Sequence, residues 1–300
     1  MEKKKVKTWQ KRPILLYILT LLILLFLVTP ILIVIPMSFT DSTLLKFPPE
    51  GFSLRWYEEF FSSSKWLDAA WVSIRIALGT TVLAVILGTL GALCVTKKVM
   101  RKGKSNKWIK LAMHLPMMLP AVIVAVSMYL VFGNLKIIGE VWTVVLAHTC
   151  LAIPMVVTMM SAALAGLDGS QYDAARVLGA THFQATMKVV LPLIKPSILS
   201  SCLFAFITSF DESVLVLFVT KSKTMTLPRL MFADLRYGIS PALAAISTLL
   251  ICITLTFFIL SKVLSSMTPE ARARKLQVKA EKERMRMEKK QAKQMQTTAS

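Results

Sequence analysis

The chain has 300 residues, is 55% hydrophobic and carries a formal net charge of +20 at pH 7. Six of its apolar stretches approach the roughly 20 residues needed to cross a hydrocarbon layer. This excludes a soluble multidomain enzyme and predicts an all-α, polytopic membrane protein. The cations flank these stretches instead of forming a basic folded domain. We therefore attribute them to membrane orientation and contact with anionic lipid, and expect no nucleic-acid partner.

The predicted spans divide the chain into three regions. Residues 1–12 form a basic N-terminus, 13–264 form the membrane domain, and 265–300 form a basic tail that we expect to be solvated or in contact with lipid. The six spans are predicted at residues 14–37, 68–96, 108–132, 140–166, 189–219 and 240–264.

The first apolar stretch follows the basic segment KKKVKTWQKR, an arrangement shared by signal peptides and membrane anchors. Its apolar core is longer than a signal peptide requires and no small-residue cleavage site follows, so we expect a retained anchor. Six crossings then place both termini on one side. Lys and Arg are concentrated before the first span, between residues 97 and 110 and after the last span. The positive-inside rule therefore predicts that both termini are cytoplasmic.

The sequence lacks the patterns that catalysis or nucleotide binding would need. Gly103-Lys104-Ser105 matches only the end of a phosphate-binding loop, because Lys98 stands where the first glycine belongs and no strand precedes it. His114, His148 and His182 are far apart, without Cys or acidic neighbours at ligand spacing. We therefore expect no enzyme activity, no metal site and no bound cofactor on this chain.

The polar loop at residues 167–190 has a helix-turn-helix pattern and is predicted to be cytoplasmic. Residues 168–170, Asp-Gly-Ser, are typical of a turn before a helix, and Asp173 falls in the first turn, where a carboxylate suits the positive helix end. Gly179 is predicted to end this helix, and a second amphipathic stretch runs to Lys188. The alternative, an ordinary helix lying on lipid, explains the amphipathicity but not the paired alanines or the defined stop.

This loop resembles the signature of permease subunits of ATP-driven, binding-protein-dependent importers, over about residues 65–264. In that signature E-A-A, three residues, Gly, nine residues and I-x-L-P mark the loop bound by the ATPase. Here Asp-Ala-Ala replaces Glu-Ala-Ala and V-V-L-P closes the pattern, both conservative changes. The residues to which the resemblance assigns ATPase coupling are Asp173, Ala174, Ala175, Gly179, Leu191 and Pro192.

The resemblance implies a type I importer permease fold in a bacterial cytoplasmic (inner) membrane, with a short cytoplasmic coupling helix. The implied partners are a dimer of ATP-binding cassette subunits, which bind ATP and Mg²⁺, a second permease subunit, and a periplasmic or extracellular solute-binding protein. The chain would form half of the membrane path. Closure of the ATPases around ATP would move the docked helix and switch the paired permeases between inward-facing and outward-facing states.

Asp211 and Glu212 are the clearest charges in a predicted span, and we place them in the outer half of the fifth. A central acid costs about 2.5 to 3.5 kcal/mol on insertion scales, so such acids are candidates for function. Two carboxylates could replace the water around an amine in a substrate path. The alternative is a structural ion pair with Arg75 or Arg229.

This region, together with the segment from Thr226 to Leu250, resembles the spermidine/putrescine branch of these permeases, in which Ser-Phe-Asp-Glu/Asp and a Leu-Pro to Ile-Ser-Pro loop recur. The resemblance implies polyamine import. Two features differ from that branch or disfavour a polycation. Ala121 stands where the branch usually has an acid, and residues 220–240 hold four basic residues against Asp234. Another importer substrate, such as an amino-acid derivative or iron, is therefore kept as an alternative.

Two rival functions belong to other classes. An ion-coupled secondary transporter would need repeated halves with unwound helices in matching positions, which the sequence does not contain. A membrane anchor that recruits an ATPase without a transport path would tolerate Leu in place of the two acids.

Overall fold

The computed structural model describes residues 13–96, 107–236, 238 and 240–266. The predicted basic N-terminus and nearly all of the tail at 265–300 lie outside the described residues. Within them the structure is helical, and β pairing is limited to an isolated antiparallel bridge between Thr40 and Phe52. The all-α prediction is confirmed.

The helices in chain order are α1 (Pro13–Met37), α2 (Arg55–Ser62), α3 (Ser64–Val95), α4 (Lys107–Met118), α5 (Ala121–Asn134), α6 (Val141–Gly166), α7 (Ser170–Val177), α8 (His182–Ala185), a π-helical segment (Thr186–Val190), α9 (Leu191–Leu193), α10 (Lys195–Phe210), α11 (Val214–Val219), a 3₁₀ turn (Ser222–Thr224), α12 (Leu227–Leu235) and α13 (Pro241–Ser266).

Four of the described helices, α1, α3, α6 and α13, are long and apolar enough to cross a membrane individually. Two bent pairs of helical segments supply the other candidates: α4 and α5 meet at 102°, and the segment His182–Leu193 meets α10 at 73°. Six crossings result when each bent pair is counted as one. The predicted third and fifth spans, at 108–132 and 189–219, coincide with these bent pairs, and neither is a single continuous helix.

Prolines account for both bends. Pro120 immediately precedes α5, where its fixed φ suits a helix start and its missing N–H interrupts the ladder continuing from α4. At the second bend, Ile194 has φ −95° and ψ 9°, and Pro196 follows in the first turn of α10. Pro196 has no N–H to donate to the carbonyl of Pro192, so the helical ladder is broken between α9 and α10.

The described residues divide into two compact units, and one of them contains residues 13–71 and 227–253. In this unit the loop after α1 is fixed to α2 because the hydroxyls of Ser38 and Tyr57 lie 2.6 Å apart. Trp56, the neighbouring residue of α2, is buried against alanines in the first turns of α13. These contacts give the short amphipathic α2 a buried face.

The other unit contains residues 72–226 and 254–266. Its largest buried cluster joins α3, α6, α7, α8, the π-helical segment and α10. The members of this cluster, here called the inner cluster, are Ala84, Ala92, Leu93, Ala152, Val156, Met160, Leu164, Tyr172, Ala185, Val190, Ile194 and Ala205. The predicted coupling loop therefore shares a core with the long apolar helices.

Glycine allows α3 to approach α6 within this unit. A Cβ atom on Gly88 would lie 2.6 Å from Cγ1 of Val156, closer than real contacts permit. One turn later, a Cβ atom on Gly91 would collide with the side chain of Met113 in α4. Small residues permit such close contact of membrane helices, which gains van der Waals packing where lipid provides no hydrophobic drive.

Candidate functional site

The start of α7 is fixed by its preceding turn. The carboxylate of Asp168 accepts hydrogen bonds from the backbone N–H of Ser170 at 3.2 Å and from its hydroxyl at 2.7 Å. Asp173 lies in the first turn of the helix, as predicted, where its negative charge complements the unpaired N–H groups. The predicted short helix in this loop is confirmed.

Gly179 ends α7 through a backbone conformation that favours glycine. Its φ is +89°, and the following N–H of Ala180 donates to the carbonyl of Ala175 at 3.1 Å. This is the arrangement of a glycine-terminated helix, in which a left-handed residue allows the chain to reverse and satisfy the last carbonyls. The guanidinium of Arg176 also donates to the carbonyl of Ala180. The predicted stop at Gly179 is confirmed.

The second half of the loop begins with a capping box. Gln184 N donates to the hydroxyl of Thr181 at 3.2 Å, and Thr181 N donates to the Gln184 side chain at 2.9 Å. The chain then passes through α8, the π-helical segment and α9. Leu191 packs against the inner cluster and Pro192 is exposed. Both residues lie in the first segment of the bent pair, and α10 begins at Lys195, beyond the bend.

Three large apolar side chains project from this loop into solvent. Val177 is 86% exposed, Leu178 is 88% exposed and Phe183 is 68% exposed. Ala174 is also exposed, whereas Ala175 is partly buried against the inner cluster. The sequence pattern did not indicate the three large residues. We call these three exposed residues the apolar patch of the loop, because large apolar side chains exposed in a polar segment indicate a surface for another protein or for lipid.

Tyr172 connects the loop to the core of its unit. Its side chain is 7% exposed and belongs to the inner cluster, together with Leu164 of α6 and Ala205 of α10. Its hydroxyl lies 2.7 Å from Nδ1 of His182, the first residue of α8. Sequence reasoning missed this pair, because the ten-residue separation carries no local signal.

The two acids lie at a helix interruption. Asp211 caps the C-terminus of α10 and its side chain is exposed, while Glu212 is partly buried. Oε1 of Glu212 accepts hydrogen bonds from the backbone N–H groups of Val214 at 2.7 Å and Leu215 at 2.9 Å. The predicted fifth span is therefore interrupted at the two acids, where the Glu212 side chain competes for the N–H groups at the start of α11.

Neither acid has an ion-pair partner among the described residues of its own unit. The alternative of a pair with Arg75 is therefore not seen, and Arg229 belongs to the other unit. One carboxylate oxygen of Glu212 is committed to capping α11. Its other oxygen and the exposed carboxylate of Asp211 remain as the chemically useful groups, since ionised carboxylates are strong acceptors for ammonium donors.

A buried histidine anchors the helix end just before the acids. Nδ1 of His148 in α6 lies 2.8 Å from the hydroxyl of Ser209 in the last turn of α10, and both side chains are buried. His114 instead bridges the Lys110 carbonyl and the Thr158 hydroxyl. The three histidines are thus in separate packing or hydrogen-bonding positions, and no group of potential metal ligands occurs in the portion of the chain that the structure describes.

Comparison with known proteins identifies the family. A model described as "Binding-protein-dependent transport system inner membrane component" matches residues 84–268. The chain is 31% identical over 241 residues to the spermidine/putrescine transport system permease protein PotC of Haemophilus influenzae, covering 80% of this chain and 92% of the relative. It is 33% identical over 232 residues to the putrescine transport system permease protein PotI of Escherichia coli K12, covering 75% of this chain and 82% of the relative.

Solved structures agree in fold. A chain of a bacterial ABC transporter that imports the acidic polysaccharide alginate gives a TM-score of 0.64 at 15% identity, covering 87% of this chain and 99% of that one. A chain of the inward-facing methionine transporter MetNI gives 0.57 at 16% identity, covering 66% and 94%. With the family model matching more than half of its length, this chain belongs to the binding-protein-dependent transport system inner membrane components, as a multi-pass inner-membrane permease of the ABC importer class.

Proposed function

We propose that this chain forms half of a transmembrane path and couples ATP hydrolysis by a partner ATPase dimer to uptake of a polyamine. A second permease subunit supplies the other half, and a soluble binding protein delivers the solute. ATP and Mg²⁺ are bound by the ATPase, and this chain carries no cofactor. The observation on which the coupling role depends is the loop from Asp168 to Pro192, which combines the exposed residues of the apolar patch with a buried attachment to the core.

The apolar patch is the region of the loop best suited to a protein cleft. Fully burying a Val, Leu or Phe side chain contributes about 1.5 to 3 kcal/mol, so Val177, Leu178 and Phe183 together are sufficient to hold a short helix in a groove. Exposed Ala174 lets a partner approach the backbone of α7 closely. The pattern residues Asp173 and Ala175 are partly buried, so we assign them to shaping and seating the helix.

Orientation follows from charge. With both termini cytoplasmic, the loop after α6 also faces the cytoplasm, where the ATPase binds ATP. Lipid surrounds the outer faces of the helices, and α1 in particular has none of its most apolar window buried within the protein. The opposite side of the membrane receives the binding protein, in keeping with the family description and with the solved alginate transporter in complex with its periplasmic protein.

The polyamine assignment is supported by two independent observations. The relatives named above belong to spermidine/putrescine and putrescine systems. In addition, Asp211 and Glu212 place two carboxylates at a helix interruption, where non-helical backbone at membrane depth is tolerated if it lines a path. We assign Asp211 and the free oxygen of Glu212 to the solute.

A competing substrate class is favoured by specific residues. Ala121, the first residue of α5, supplies no charge, and residues 220–240 hold four basic residues against one acid. The chain is also 27% identical over 209 residues to a putative 2-aminoethylphosphonate transport system permease protein, PhnV of Salmonella typhimurium. The second candidate is therefore a small amine that also carries an anionic group; iron remains a less favoured cargo.

The test is uptake into vesicles that contain this chain with its neighbouring permease, ATPase and binding protein. Labelled spermidine, putrescine and 2-aminoethylphosphonate are each offered with ATP, and unlabelled polyamine is added as the competitor. ATP-dependent uptake competed by polyamine is the expected result. ATP-dependent uptake of the aminophosphonate without uptake of either polyamine would replace the substrate assignment, and absence of ATP dependence would refute the coupling role.

A further inference from the structure

The α7 helix is attached to the rest of its unit through Tyr172. The aromatic ring is buried in the inner cluster with residues of α6 and α10, so a displacement of α7 must either move these helices or withdraw the ring. Withdrawal is unfavourable because closely packed interiors resist deformation. The ring thus provides one connection between the exposed loop and the long helices.

The hydroxyl of Tyr172 provides a second connection, to α8. It lies 2.7 Å from Nδ1 of His182, and the two rings are nearly parallel, at 25°, with centroids 6.4 Å apart. His182 is exposed, so its position is not fixed by burial. The covalent connection between the two helices runs through Gly179, the residue with the least restricted backbone.

A turn containing glycine can absorb movement instead of transmitting it. If α7 rotates about Gly179, the apolar patch changes its angle while α8, the π-helical segment and α10 stay in place. The hydrogen bond between Tyr172 and His182 opposes this rotation because it joins the two helices across the turn. The contact of Arg176 with the Ala180 carbonyl closes the same turn from the other side.

We propose that Tyr172 and His182 are positioning residues that lock α7 and α8 into one unit, so that movement of the apolar patch reaches α6 and α10 rather than being lost at Gly179. The inference rests on the coupling role proposed above and adds to it the side chains that transmit the movement. It concerns the efficiency of coupling, not the binding of ATPase or solute.

The experiment uses the complete reconstituted transporter and measures spermidine taken up per ATP hydrolysed. Tyr172→Phe removes only the hydroxyl, and His182→Leu removes only the ring partner. Each is expected to lower uptake per ATP about fivefold while the ATPase rate and co-purification of the ATPase stay within about twofold. A fivefold loss corresponds to about 1 kcal/mol at about 1.4 kcal/mol per tenfold, the usual size of one hydrogen bond.

Two further variants distinguish positioning from general damage. The double variant, Tyr172→Phe with His182→Leu, is expected to have the same uptake per ATP as either single variant. Both substitutions remove the same hydrogen bond, so its loss is counted only once. His182→Asn is expected to restore coupling, since its amide places a hydrogen-bonding atom near the Nδ1 position. The matched control is Tyr57→Phe, which removes a tyrosine hydroxyl bonded to Ser38 in the other unit and should leave coupling unchanged.

The outcomes separate this inference from the proposed function. Wild-type coupling in the Tyr172→Phe variant would overturn the inference alone, as would additive losses in the double variant. If the wild type takes up no spermidine, the substrate assignment fails. Coupling is then measured as stimulation of the ATPase by the binding protein, and Tyr172→Phe is expected to lose most of this stimulation. No stimulation in the wild type would refute the coupling role itself.

Discussion

Replacement of Glu212 separates its two roles. One oxygen caps α11 by accepting the N–H groups of Val214 and Leu215, and we assign the other to the solute. Glu212→Gln keeps a side-chain oxygen that can accept the same N–H groups but removes the charge. Glu212→Ala removes both the cap and the charge. The two variants therefore differ mainly in the stability of the helix start.

The magnitudes follow from the contacts. Loss of a side-chain cap costs about 0.5 to 2 kcal/mol, so Glu212→Ala is expected to lower the unfolding temperature of the solubilised protein and Glu212→Gln to change it much less. A unit charge pair at 4 Å contributes about 4 kcal/mol at an effective dielectric near 20, before desolvation. Hydrogen bonds to charged groups retain about 1.5 to 3 kcal/mol. This predicts a rise in the uptake KM of about tenfold or more for Glu212→Gln.

The assay measures spermidine uptake by the reconstituted transporter over a range of solute concentrations, together with thermal unfolding. Asp211→Asn and the double variant with Glu212→Gln are measured in parallel, and the double variant should have the largest KM. Glu140→Gln, which neutralises an exposed acid before α6, is the control for loss of surface charge. An unchanged KM in the double variant, with normal assembly, would refute the assignment of the acids to the solute and leave Glu212 as a cap only.

Three other substitutions test the loop and the packing. Leu178→Asp should leave thermal unfolding nearly unchanged because the side chain is 88% exposed, yet weaken ATPase co-purification at least tenfold; normal co-purification would contradict docking at the patch. Gly179→Val should strain the backbone by about 1 to 3 kcal/mol at φ +89° and reduce uptake per ATP. Wild-type uptake per ATP in this variant would show that coupling does not depend on the conformation of this turn. Gly88→Leu should overpack the contact with Val156 by about 1 to 3 kcal/mol and lower the unfolding temperature, whereas Gly166→Ala, with no atom within 4 Å of the added Cβ, should not.

The loop could be predicted well from sequence because its signals are local. A turn before Ser170, an acid in the first helical turn and a glycine at the stop each act within a few residues, and the structure places all three as expected. The family signature also identifies Leu191 and Pro192 as the end of the loop, but it does not predict the helix bend that follows them. That bend depends on Pro196, which removes a backbone donor from a segment that hydropathy treats as uniform.

The helix interruption at Asp211 and Glu212 shows why other features of the site were not predicted from the sequence. The segment from Lys195 to Val219 reads as one continuous helical span from sequence. It is mostly apolar, and the only Gly or Pro that could mark a break is Pro196 near its start. The overlooked signal was Asp-Glu-Ser, a set of side chains that compete for backbone N–H groups and favour helix starts. The contacts of Tyr172 with His182 and of His148 with Ser209 join residues 10 and 61 positions apart, which a single sequence does not connect.

The close approach of α3 and α6 at Gly88 has a genetic consequence. Because the space that a side chain at 88 would occupy is filled by Val156, the two positions should not vary independently. A transport-deficient Gly88→Ala strain is expected to yield second-site revertants at 156, with Val156→Ala or Val156→Gly restoring growth on the imported solute. Val156→Ala alone would be a mild allele that leaves a small void, and its defect should be relieved rather than worsened by alanine at 88.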